Sequence, residues 1–219
     1  MRKALIVYGG WDGHQPREVA TLLGRVLRED GFDVELSDSL DAFADERKLR
    51  GLSLIVPHWT MGRITDPQLN PVLNAVRDGG VGIAGCHGGM CDAFREATDW
   101  HFMTGGQWVA HPGNDGTRYR VHVTVPDDPI TRGVADFDVS SEQYYLHVDP
   151  AVKVLASTRF PVADGPHAAN GPVDMPVLWT KLYGKGRVFY SSIGHTPQAV
   201  AAEPHLTLLR RGLRWAARH

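Results

Sequence analysis

KALIVYGGWDGHQPREVATLLGRVLREDG, residues 3–31, decides the fold. It opens on a nearly continuous apolar run, Lys3 to Tyr8, which ends at Gly9-Gly10, the pattern of a strand buried on both faces of a parallel sheet. A loop from Gly9 to Gln15 follows, and Pro16 then stands at the first turn of a helix, where its missing N–H costs nothing. Val19, Leu22, Leu23, Val26 and Leu27 recur at helical spacing and Gly31 stops the run. The stretch is a strand-loop-helix unit.

Outward from it the unit repeats. Strands are expected at Asp33–Ser37 and Leu52–Val56, then a helix from about Asp66 to Asp78 and a strand at Val81–Gly85. Strands alternating with helices predict an α/β, flavodoxin-like, mostly parallel sheet with helices on both faces. Beyond about residue 100 the texture changes. Arg118–Val125 alternates apolar and polar, Val152–Ser157 is a further strand, and Pro176–Leu182 turns through Tyr183-Gly184-Lys185-Gly186 into Arg187–Ile193 as a hairpin. These strands form an antiparallel C-terminal extension, closed by an amphipathic helix over about Pro204–Ala217. Asp164–Asp174 reads as an exposed loop, and no linker divides the chain, so residues 1–219 are expected to form a single domain.

Composition narrows the function. Hydrophobic residues make up 42% and charged residues 22%, with a formal net charge of −2, and Lys and Arg are scattered rather than gathered in a stripe. Nucleic acid is therefore not an expected partner. No apolar run approaches the roughly 20 residues that cross a bilayer, so no membrane association is expected. The two cysteines, Cys86 and Cys91, lie too close together to staple a fold of this size and suit reduced thiols in the cytoplasm. Eleven histidines are many for 219 residues, and several sit beside glycines or at strand ends.

In a parallel α/β sheet the ligand lies against the loops leaving the carboxyl ends of the strands. Those loops are Gly9-Gly10-Trp11-Asp12-Gly13-His14, Pro57-His58-Trp59-Thr60-Met61-Gly62, Gly85-Cys86-His87-Gly88-Gly89 and Gly194-His195-Thr196-Pro197. The third fits a sharp strand-to-helix turn that exposes one side chain above the sheet, with a helix N-terminus behind it to receive an oxyanion. Spacing alone leaves Cys86 and His87 both open for the exposed position. Trp11, Trp59, Trp108 and Tyr144 could present apolar faces to a sugar ring, or could simply pack. Trp179 and Trp215 fall within regular elements and are assigned to the core. His101, His122, His167, His205 and His219 lack a loop context of this kind and read as surface or structural groups; His58 and His147 stay open. A loop histidine such as His14 or His111 can equally anchor a turn, and Glu142 can equally cap or pair. An unactivated thiol is more often buried and inert than reactive, which is the plain reading of Cys86.

Taken in order, Gly9 to His14, Gly85 to Gly89, Thr104-Gly105-Gly106-Gln107 through His111-Pro112, Ser141-Glu142-Gln143-Tyr144-Tyr145 and Gly194 to Pro197 resemble the trehalose-utilisation (ThuA-like) family. That family has the class I glutamine-amidotransferase-like fold. The likeness spans almost the whole chain and places His87 where an amidotransferase carries its cysteine, with Cys86 one position earlier. No carboxylate follows His195 by two residues, so an amidotransferase His-x-Glu pair is absent and glutamine hydrolysis is not implied.

The resemblance implies an intracellular enzyme of disaccharide, glycoside or keto-glycoside metabolism, a hydrolase or lyase. A keto group acidifies the neighbouring C–H, so a base and an electrophile suffice to cleave or rearrange such a sugar. His87, His195, Glu142 and His111 are the expected catalytic groups. The same four suit a divalent metal such as Zn²⁺ in an alternative role, although no local His-x-x-x-His pair supports it. Trp11, His14, Trp59 and Tyr144 are the expected substrate contacts. Two alternatives remain: a non-catalytic sugar-binding or regulatory module, and a Cys86-dependent amidotransferase-like hydrolase. The expected partner is a small-molecule sugar, and the aromatic content permits a homodimer.

Overall fold

A computed structural model describes residues 1–219. In chain order the first half runs β1 (Arg2–Gly10), α1 (Pro16–Glu29), β2 (Phe32–Ser37), α2 (Glu46–Arg50), β3 (Leu54–Thr60), α3 (Asp66–Arg77), β4 (Gly82–Cys86), α4 (Gly88–Cys91) and α5 (Thr98–Thr104). The second half runs β5 (Gly106–Ala110), β6 (Arg118–Val123), β7 (Phe137–Ser140), β8 (Tyr145–Val148), β9 (Lys153–Phe160), β10 (Val173–Tyr183), β11 (Gly186–Ser191), α6 (Pro197–Ala201) and α7 (His205–Ala216). Nine strands form one sheet in the order β2-β1-β3-β4-β11-β10-β9-β6-β7, while β5 and β8 pair separately.

From β2 to β11 neighbouring strands are parallel, and from β11 to β7 they are antiparallel. The antiparallel strands lie within residues 118–183, and the chain then returns through β11 to complete the parallel part beside β4. That return is what carries the segment after β11 back to the same sheet edge as the loops of β1 and β4.

Alternation along β1 sorts its side chains between two cores. Ala4, Ile6 and Tyr8 join one apolar cluster with α1 and α7, and Leu5 and Val7 join the other with α3 and α5. Each fully buried Leu or Val contributes on the order of 1.5–3 kcal/mol from water exclusion, so a strand apolar at every position is favoured only between two helical layers. Gln15 adopts φ 47 as it leaves the first loop, and Pro16 starts α1 behind it. On α7, a methyl at Gly212 would stand 2.3 Å from the Phe189 ring, so only glycine lets that helix lie against β11.

Several boundaries differ from the sequence expectation. Pro57 to Thr60 belong to β3, where they pair with Val7 to Gly10, rather than to the loop beyond it. Beyond Ile55 no pairing to β4 remains, so β3 is held there from the β1 side alone and tolerates a proline. Strands β5, β7 and β8, of four or five residues each, carry too short a pattern to declare themselves. The helix expected behind His87 is the single turn α4, too short for an appreciable dipole.

Candidate active site

His87 follows β4 directly and has φ 52 and ψ −146, a backbone conformation that non-glycine residues rarely adopt. The strained position of the sharp turn is His87, not Cys86, and its side chain is fully buried rather than exposed, closed over by its neighbours. The turn is buttressed on both sides. A Cβ on Gly88 would lie 2.6 Å from His14 Cε1, and one on Gly89 would lie 2.3 Å from His58 Nδ1. The glycines therefore let two histidines close over the turn. Cys86 points into the core, fully buried, and burial pushes its thiol up to about 12, which removes the thiolate a Cys86-dependent hydrolase requires.

Four side chains converge above the turn. One ligand atom from each of His14, His87, Glu142 and His195 can be chosen so that all lie within 4.8 Å of one another. His14 comes from the loop after β1, His87 from the turn after β4, His195 from the loop after β11, and Glu142 from the segment between β7 and β8. Glu142 is the hub. Its Oε2 lies 3.0 Å from His87 Nε2 and 3.9 Å from His14 Nε2, and its Oε1 lies 3.3 Å from His195 Nδ1 and 3.6 Å from His111 Nε2. Its neighbour Gln143 pins the segment, donating through Nε2 to Thr158 Oγ1 and the Arg159 carbonyl and accepting the Val162 N–H.

His87 Nδ1 lies 2.8 Å from the Ser192 carbonyl oxygen. A carbonyl only accepts, so Nδ1 carries the proton and the neutral ring turns a bare Nε2 toward Glu142. Burial lowers His87 to about 4 against the opposing pull of Glu142. Burial acts to raise the Glu142 carboxyl, but hydrogen bonding from His14 and His195 leads the opposing effects and holds it well below the usual carboxylate range. Two lone-pair atoms 3.0 Å apart in a buried site thus face each other, an arrangement relieved by a cation between them. His195 Nδ1, also buried, has only Glu142 Oε1 to face, at 3.3 Å. Donors bound at about 2.0–2.1 Å around a tetrahedral ion stand roughly 3.3 Å apart; here Oε2 lies 3.0 Å from His87 and 3.9 Å from His14, Oε1 lies 3.3 Å from His195, and the four donors fall within 4.8 Å of one another. The donor set fits a divalent ion. His14 and His87 carry outer support as well, from Thr60 Oγ1 at 2.7 Å and from the Ser192 carbonyl.

The other expected residues are distributed unevenly. His14, expected to touch substrate, stands instead among the converging donors. His111 lies at the edge of the group, 29% exposed, and outside the set of four. Tyr144, expected as part of a sugar platform, is buried and stacks on the inner ring, with centroids 4.1 Å apart from His87. Trp59 is half-buried and packs over Gly9 and Gly62. Trp11 is 45% exposed and lies edge-on to His14 at 4.8 Å and tilted over His195 at 6.3 Å, at the mouth of the site. His205, read as surface or structural, is buried and bonded to Ser191 Oγ and the Ala199 and Val200 carbonyls.

Sequence reasoning passed over Thr60, Ser192, Gln143 and the Asp92–Arg95 pair, all of which orient the site. Only Thr60 and Gln143 stood inside motifs already singled out. His58 was left open, and both its ring nitrogens are buried without a partner beneath Gly89.

Five parallel strands with an antiparallel flank give a glutamine-amidotransferase-like, flavodoxin-type fold. The chain belongs to the ThuA family: the family model, described as trehalose utilisation, matches residues 3–216. Among solved structures it is similar to a ThuA-like protein from Bacteroides uniformis, at 19% identity over 98% of this chain and 91% of that one, with a TM-score of 0.78. A ThuA-like protein from Parabacteroides merdae gives 18% identity, 98% and 89% coverage and a TM-score of 0.76. A glutamine amidotransferase from Thermotoga maritima gives 11% identity, 87% and 74% coverage and a TM-score of 0.54. No curated protein matches the sequence. No helix is long and apolar enough to cross a membrane.

Proposed function

We propose that the chain is a carbohydrate-processing enzyme acting on a keto-glycoside or related disaccharide, with a divalent metal such as Zn²⁺ held by His14, His87, Glu142 and His195. The observation that carries the metal is the bare His87 Nε2 facing a carboxylate oxygen 3.0 Å away in a buried pocket. Family membership in trehalose utilisation supports the substrate class. When bound, the metal supplies Lewis acidity toward a carbonyl oxygen.

The chain's own residues provide the rest. Trp11 offers an exposed apolar face beside His14 and His195, suited to the C–H face of a sugar ring. A cavity of about 310 Å³ is walled by Thr196, the residue after His195, and by Asp115, 3.9 Å from His195 Nε2; with Ser140, Gln198 and Glu203 these supply partners for sugar hydroxyls. Tyr144 and His87, stacked and buried, keep water from the inner side of the centre. A second reading keeps the same residues without a metal. Hydrogen bonding to Glu142 raises His195, with burial opposing, and a histidine oriented by a carboxylate is a serviceable base.

Incubation of the protein with a keto-disaccharide and with its unoxidised parent tests both. The proposal expects loss of the keto-sugar only, stopped by chelator and restored by added Zn²⁺. Turnover indifferent to chelator selects the metal-free histidine base. A rise in melting temperature without turnover makes the protein a sugar-binding module, and no effect of either sugar overturns the substrate class.

A further inference from the structure

His87 and His111 face the same carboxylate in opposite tautomeric states. At His111, Nδ1 receives the indole N–H of Trp108 at 3.1 Å. An indole nitrogen only donates, so His111 Nδ1 carries a lone pair and the neutral ring bears its proton on Nε2. That Nε2–H lies 3.6 Å from Glu142 Oε1, on the solvent side of the centre, where His111 is 29% exposed and Glu142 only 5%. The inner histidine presents a lone pair; the outer one presents a proton.

Trp108 is itself held in place. The Arg95 guanidinium sits 4.5 Å over its ring, and Arg95 is fixed by two hydrogen bonds, of 2.6 and 3.0 Å, to the buried Asp92. A cation over the indole face draws electron density from the ring and strengthens its N–H as a donor.

We propose that His111 is a fixed hydrogen-bond donor, through Nε2–H, to an oxyanion of the substrate, and that Trp108 is the positioning residue that holds its Nδ1 as an acceptor. An imidazole N–H held in a fixed position stabilises a carbonyl or enolate oxygen as charge develops on it. His111 thereby becomes the electrophile of the site, leaving the expected acid/base role to other groups. The proposal rests on the keto-sugar reading for the identity of the oxyanion. The tautomer and its control by Trp108 stand apart from it.

Long-range proton–nitrogen NMR of the full chain labelled with ¹⁵N-histidine reads the tautomer directly. The expected spectrum shows His111 with a bare Nδ1 and a protonated Nε2, whether or not metal is present. His205, whose Nδ1 faces two carbonyls, supplies the opposite pattern and reports that the fold is intact. Trp108→Phe keeps a ring but removes the donor, and is expected to convert His111 to a mixture of tautomers with His205 unmoved. From the other side of the bond, the Trp108 indole proton is expected downfield in the parent protein and upfield in His111→Ala.

Added acetate, as an oxyanion probe, is expected to shift the His111 Nε2–H proton downfield. A His111 protonated at Nδ1, or unchanged by Trp108→Phe, overturns the positioning role. An Nε2–H proton indifferent to acetate overturns the oxyanion role. Metal analysis of the same samples separates either failure from a failure of the metal centre.

Discussion

The parallel and antiparallel parts of the molecule contribute to the site on different terms. His14, His87 and His195 come from loops at the carboxyl ends of β1, β4 and β11, where two apolar cores fix the strands and glycines let the side chains close together. Glu142, His111 and Trp108 come from the excursion between α5 and β9, where short strands and side-chain hydrogen bonds do the holding. The fold delivers three nitrogens to one place, and the excursion delivers the negative charge and the outer donor. The lesson is that the sheet decides where the histidines meet, while the excursion decides which carboxylate and which outer donor they meet.

The comparison breaks most visibly at Glu142. Glu142→Gln keeps the volume and removes the charge, so a keto-sugar assay is expected to lose roughly 10²-fold or more of its rate, the scale of removing a group on which proton or charge transfer depends, with circular dichroism unchanged. A Glu142→Gln enzyme within a few-fold of the parent removes the carboxylate from the centre of the account.

The burial of the parallel part has a pH signature at His205, away from the four donors. Burial lowers it to about 4, from 6.5. Between those values the unfolded chain binds a proton that the folded chain refuses, so stability falls as pH drops from 6.5 to 4 and is level above. The whole effect is at most about 3 kcal/mol. Urea midpoints across that range, in the parent and in His205→Asn, check it: the variant is expected to show a shallower slope.

Close packing of the strand-end loops sets the next effect. Gly88→Ala drives a methyl into His14, and overpacking of this kind costs about 1–3 kcal/mol in urea unfolding. The turn itself gives the smallest. At φ 52, His87→Gly is expected to be more stable than His87→Ala by on the order of 1 kcal/mol, because only glycine adopts that backbone freely. Equal stabilities contradict a strained turn.

Much of the parallel part was legible because its signals are local. Lys3–Tyr8, Pro16 and Gly31 mark a strand, a helix start and a stop within one stretch, and β10, the Gly184 turn and β11 read as a hairpin. The excursion was legible only as motifs. Nothing local in Ser141–Tyr145 says that Tyr144 is buried under His87 or that Gln143 is the anchor, because both depend on strands that pair at long range. His14 shifted from the substrate side to the donor set for the same reason: its distance to Glu142 is fixed by the register of β1 and β3 and by Thr60. Trp59 looked like a loop residue because Pro57 suggested a strand end too early.

The central claim is that three strand-end histidines and one carboxylate from the excursion hold a divalent metal. Elemental analysis of the untagged protein, beside His87→Ala, His195→Ala and Glu142→Gln, tests it most directly. The account predicts near-stoichiometric metal in the parent and its loss in all three variants. A parent protein without metal, after purification and after incubation with Zn²⁺, contradicts it.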